Sequence, residues 1–194
     1  MFSFLTPLLV AVALWQGPPV KPLSVVPVPA KLVPALPILW SATRPLAIAD
    51  FLGRPGPAER LASSTSSDIK ANAACRDFVF AGIAQATFDP NTSWFREPRT
   101  ASAALLRHEQ THFDITEVYA RIMRQKLVGF GAKVNCNKLQ PAFNNLTKSV
   151  YLEWDREQNR YDQETNHSLN AVRQAFWEKQ TQAKLEQLKA FAQQ

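Results

Sequence analysis

The chain has only two cysteines, Cys75 and Cys136, among 194 residues. That is too few for a scaffold built on disulfides, and they lack the C-x-x-C spacing of a zinc knuckle or redox motif. No apolar run reaches the roughly 20 residues that a membrane-spanning helix needs; the first hydrophobic segment, Phe2 to Trp15, stops short of it. Lys and Arg outnumber Asp and Glu by 22 to 16, a net charge of +6, yet no block of five or six like charges occurs. The excess therefore reads as a solvated surface, with no stripe for nucleic acid. No internal repeat is visible. What is present is 46% hydrophobic and 20% charged residues, the balance of one soluble globular domain.

Phe2–Trp15 (FSFLTPLLVAVALW) has the length of a signal-peptide core, and Ala11-Val12-Ala13 offers the small-x-small pattern that a signal peptidase favours. Residues 1–17 thus read as a signal peptide and the protein as periplasmic or secreted. No Lys or Arg precedes the run, so an uncleaved anchor is the alternative, and the membrane enters only through it. The lack of a cysteine near the cleavage site argues against a lipid anchor. Residues 18–44 carry prolines at 18, 19, 22, 27, 29, 34 and 37, which forbid helix and make a semi-rigid linker, either a tether or a leader without a role of its own. In an oxidising compartment Cys75 and Cys136 can pair across a long loop; two buried thiols are the other reading.

The folded domain is expected over residues 45–194. Up to Pro98 its signals are those of short strands and turns: Leu46 to Ala49 before a Gly- and Pro-rich stretch, an exposed loop at Ser63 to Ser67, and a hairpin or strand pair from Phe78 to Phe88. After Pro98, Thr100 or Ser102 can cap a helix running to Val128, with Gly129 and Gly131 as its stop. Leu105, Ile115, Tyr119 and Ile122 form its apolar stripe. A second helical region follows Pro141 and contains neither Pro nor Gly to the carboxyl end, with Leu146, Val150 and Trp154, then Leu169, Val172 and Phe176, on its buried side. Its polar end, from Glu178 onward, is expected to project.

The first helix contains His108-Glu109-Gln110-Thr111-His112, an H-E-x-x-H motif. Residues four apart lie one turn apart on the same helical face, so His108 and His112 can present two imidazoles to one metal ion. Glu109 sits about 60° from His112 around the axis, within reach of a water on that ion without being a ligand. Zinc suits two neutral imidazoles and, with three protein ligands, keeps a position open for water. The bland alternative is a solvated pair of histidines. The chain's third and last histidine, His167, lies on the second helical region and is the first choice for the third ligand, ahead of Glu164 and then Asp162, which can also serve by orienting an imidazole. Tyr161 is either a phenol aimed at an oxyanion or a core aromatic.

Leu105 to Ile115 with Tyr119-Ala120-Arg121, and Tyr161 to His167, resemble the bacterial family called domain of unknown function 922, described as predicted secreted zinc-dependent proteases. Arg44-Pro45-Leu46, Asp50 to Gly53, Phe88-Asp89-Pro90 and Ser93-Trp94 are also similar to its landmarks, so the resemblance runs from about Arg44 to Trp177. It implies a zincin-like site in which His108 and His112 are ligands and Glu109 is the catalytic base. The family's second motif, Tyr-Asp-x-x-Thr-x-His-Gly, favours His167 over Glu164, and Ser168 stands here in place of its glycine. The expected fold is α+β, with short antiparallel strands beside two long helices that carry the metal site. The expected activity is zinc-dependent hydrolysis of a peptide or protein substrate, with the Phe78–Phe88 strands offering an edge for it. A cell-envelope binding protein with a structural metal, and a zinc amidase acting on peptidoglycan, are the rival readings.

Overall fold

The computed structural model describes residues 34–193. The signal peptide read over 1–17 and most of the linker read over 18–44 lie outside the described residues. The end of that proline-rich stretch is ordered, because Ile38–Leu39 forms strand β1.

Strands β3 (Ser67–Arg76) and β4 (Val79–Phe88) make an antiparallel hairpin paired in register from Ser67 opposite Phe88 to Arg76 opposite Val79. β3 is specified by alternation: Ile69, Ala71, Ala73 and Cys75 turn inward, while Lys70, Asn72, Ala74 and Arg76 are exposed. The turn residues Asp77 and Phe78 both have left-handed φ, 49° and 63°, which matches the twist of a two-residue hairpin loop. β1 pairs with the Thr87–Phe88 end of β4. A second small ribbon joins β2 (Ser63–Ser64) to β5 (Trp94–Phe95). The serine run is therefore not the exposed loop that its composition suggests. Some of its polar groups are satisfied internally: Ser66 N–H donates to Ser93 Oγ at 2.9 Å, and the buried Ser63 donates through Oγ to Glu109 Oε1.

Helix α1 (Ala103–Gly131) begins at Ser102, whose Oγ accepts from the Leu105 amide at 3.1 Å. It runs past Gly129 to Gly131, which faces the Phe80 ring: a Cβ there would stand 2.5 Å from that ring. Phe113, Ile115, Val118, Ala120 and Met123 on α1 pack with Ile69, Ala84, Ala86 and Phe88 of the hairpin to form the core.

The second helical region is broken, contrary to the expectation of one rod. Helix α2 (Leu139–Thr165) ends where Asn166 turns left-handed, its N–H bonding to the Asp162 and Gln163 carbonyls. His167 and Ser168 keep positive φ, at 49° and 75°, and Asn170 then caps helix α3 (Ala171–Gln187) by accepting from the Arg173 amide at 3.1 Å. The break resets the helical phase. Leu169, Val172 and Phe176, expected to be buried, are exposed, and α3 instead buries Gln174, Trp177, Thr181 and Leu185. Nor does the chain project after Glu178, since Arg121 Nη1 donates to Leu185 O at 2.6 Å and Arg124 Nε to Phe191 O at 2.5 Å, lashing the end to α1.

Cys75 and Cys136 are joined, tying the hairpin tip to the α1–α2 connection. Closing a loop of that size contributes about 4 kcal/mol in the chain-entropy model, so Cys75→Ala with Cys136→Ala is expected to cost about that much in urea denaturation. Ser168 is the reverse case. A side chain at φ 75° is strained where glycine is not, so Ser168→Gly should stabilise by about 1 kcal/mol and raise Tm by about 2–4 °C.

Candidate metal centre

One turn apart on α1, His108 and His112 bring their Nε2 atoms to 3.3 Å from each other. From the last turn of α2, Asp162 places Oδ1 3.2 Å from His108 Nε2 and 3.0 Å from His112 Nε2. Two helices thus aim three donor atoms at one point. Asp162, ranked last of the three candidates from sequence, is the one that meets both rings. His167 stands one step outside, half exposed, with Nδ1 3.3 Å from Asp162 Oδ1. Glu164 lies about 200° round the helix from Asp162 and faces away, paired with Arg173 and with Trp177 Nε1.

The outer nitrogens fix the tautomers. Gln158 Nε2 donates to His112 O at 2.9 Å and to Thr116 Oγ1 at 3.0 Å, so its Oε1 must face His112 Nδ1, 2.6 Å away. Gln174 Nε2 donates to Glu178 Oε1 at 2.9 Å, which leaves its Oε1 for His108 Nδ1 at 3.2 Å. Each ring therefore carries N–H at Nδ1 and turns the Nε2 lone pair inward. Tyr161 is fully buried and stacks on His108, with centroids 4.8 Å apart. Its hydroxyl bonds to Gln174 Oε1 at 2.8 Å and His108 O at 3.2 Å, so it is a core wall and not an oxyanion donor.

Glu109 is 2% exposed. Its Oε1 accepts from Ser63 Oγ at 2.5 Å, while its Oε2 is buried without a hydrogen-bond partner among the described residues. A cavity of about 510 Å³ lies over this carboxylate, walled by His108, His112, Asp162 and His167. Ser63, Gln158 and Gln174 are absent from the motif reading. Gln158 carried a signal, being four residues before Asp162 and so on the same helical face; Ser63 and Gln174 are brought in only by tertiary packing.

Residues 83–168 match the family model for a bacterial protein of unknown function (DUF922). This segment belongs to that family. The DUF922 span opens in β4, includes all of α1 and closes at Ser168, so it holds every one of the convergent donors and His167. It is narrower than the resemblance, which ran from about Arg44. No curated protein and no solved structure matches the chain.

The donors of the DUF922 segment fit a zinc ion. Ligand atoms about 2.0–2.2 Å from a tetrahedral ion stand about 3.3–3.6 Å apart, and the three separations here, 3.3, 3.2 and 3.0 Å, are close to that spacing. Two lone pairs and a carboxylate turned on one another in a partly buried site, His108 buried and Asp162 half-buried, repel unless positive charge stands among them. Without an ion, a proton fills that role. Burial opposes charge on His112, but the Asp162 hydrogen bond, with the charge of Glu109, outweighs it and holds the imidazole above its ordinary pKa of 6.5. Burial likewise opposes charge on Asp162, and the hydrogen bonds from His108 and His112 outweigh it, holding the carboxyl well below the usual carboxylate range.

The pH dependence has a definite sign. A raised His112 stabilises fully below 6.5 and loses that contribution as pH climbs through its folded value; a lowered Asp162 stabilises above 3.8 and loses it as pH falls through its own. In chelator, urea denaturation is expected to show stability declining from about pH 6.5 upward. Zinc should abolish that decline, because it replaces the proton.

Proposed function

We propose that the chain is an exported zinc-dependent metallopeptidase. The observation that carries the reading is Glu109 Oε2, a buried carboxylate oxygen without a hydrogen-bond partner among the described residues, on a side chain that lines a cavity beside three converging donors. A purely structural zinc site closes its coordination with four protein donors, whereas three beside an open cavity suit catalysis. The Cys75–Cys136 bridge supports an oxidising compartment, periplasmic or external.

His108, His112 and Asp162 would hold the ion, and His167 borders them. When bound, the ion supplies Lewis acidity, acidifying water and polarising the substrate carbonyl. Ser63 holds one oxygen of Glu109 and thereby aims the other. Glu109 Oε2 takes a proton from the attacking water and passes it to the leaving amine. Gln158 and Gln174 keep both imidazoles in the tautomer that leaves Nε2 free. The fully buried Tyr161 seals the floor against solvent.

Glu109→Gln is expected to lower kcat/KM on unfolded protein by about 10²–10⁴-fold, with zinc content and Tm nearly unchanged. Asp162→Ala should lose zinc on metal analysis and His167→Ala should keep it. Zinc retained by Asp162→Ala and lost by His167→Ala would overturn this ligand set, and full activity in Glu109→Gln would overturn the peptidase.

A further inference from the structure

The chain crosses α1 at Glu109 as a short strand, β2, whose two sides have different fates. Ser63 Oγ donates to Glu109 Oε1, and Thr65 Oγ1 lies 3.4 Å from the Glu109 carbonyl, so both side chains are pinned to the helix. The backbone of the even-numbered residues faces β5 and its flank: Arg96 N–H donates to Ala62 O at 2.8 Å, Ser64 pairs with Trp94, and Ser66 meets Ser93 Oγ and the Asp89 amide. Successive residues of a strand direct their backbone groups to opposite edges. The N–H and C=O of Ser63 and Thr65 therefore point to the edge away from β5.

That edge adjoins the reacting centre. Ser63 to Thr65 line the cavity over Glu109, and a second cavity of about 470 Å³ shares Ser64, Thr65, His112 and Asp162 with it. The two meet at His112 and Asp162, so there is room along the strand on both sides of the metal donors. The first cavity is apolar at Leu61, Leu105 and Leu169, whereas the second presents Trp154, Asp155 and the serine hydroxyls. The edge of β4, suggested by sequence as a docking strand, is partly occupied: β1 pairs with Thr87 and Phe88, and Arg124 Nη1 takes Ala84 O at 2.6 Å.

We propose that Ser63 and Thr65 form a docking edge for extended polypeptide, which is cut within its interior, an aliphatic side chain entering beside Leu105 and Leu169. An added strand needs only backbone N–H and C=O groups in alternation, which a glycan lacks; this names the substrate class as unfolded protein. Water adds across the C–N bond, its hydroxyl going to the carbonyl carbon and its proton to the departing amine. The inference rests on the metallopeptidase reading.

The test uses the zinc-loaded full chain and end-blocked peptides spanning β-casein, each N-methylated at one position along the cut site. Cleavage of blocked peptides is expected, with kcat/KM reduced about tenfold by methylation at every second residue and little changed between. A flat methylation pattern, or cleavage only at free ends, would overturn the docking edge while leaving the peptidase standing. If no peptide is cut, binding of the same peptides to Glu109→Gln by fluorescence anisotropy decides: alternation there keeps the edge and removes the peptidase, and absence of binding overturns the edge.

Discussion

Two imidazole nitrogens and a carboxylate oxygen, all turned toward one another at the wall of a cavity, form the constraint around which the molecule is organised. Each is poorly placed alone, because a buried lone pair or negative charge without a partner is costly. Together they make a socket for positive charge. The Gln158 and Gln174 amides fix the arrangement, since their own donors are committed elsewhere and the face they turn to each imidazole is an acceptor for Nδ1–H. The stacked Tyr161 then fixes the plane of His108. The inner atoms are held by contacts that themselves never touch the socket.

The same constraint explains where the long helix stops. Asp162 reaches both histidines from the last turn of α2, and three left-handed residues follow, Asn166, His167 and Ser168. Had the rod continued, the chain after Thr165 would have carried on past α1. The reversal instead lays α3 back across it, and α3 delivers Gln174 to His108 and Leu185 to the core. Local strain in the turn is thus offset by packing on either side of it.

Much of this was legible in the residue order. The spacing of His108 and His112 reports their shared face because helical periodicity is a local property, and the apolar stripe through Ile115 and Tyr119 places that face inward for the same reason. The α+β texture followed from where proline and glycine stop. The pairing of Cys75 with Cys136 was one of two open readings. What escaped depended on relations between distant segments. Nothing local marks Ser63 as the partner of Glu109, and a serine-rich run composed like a loop is a strand whose Ser63 and Thr65 hydroxyls find acceptors on Glu109 and whose Ser66 N–H meets Ser93 Oγ. His167 came first as the chain's third histidine and by the family's second motif; the break that follows Thr165 is announced by no proline or glycine, and Asn166 is its one sequence signal, a residue that tolerates left-handed backbone.

The bridge between Cys75 and Cys136 encloses β4, β5 and all of α1, and so the entire H-E-x-x-H segment, within one covalent ring. A single backbone scission anywhere inside that ring leaves both fragments attached to each other. Damage of this kind becomes a nick in a loop and not the loss of a domain, whatever hydrolases the molecule meets.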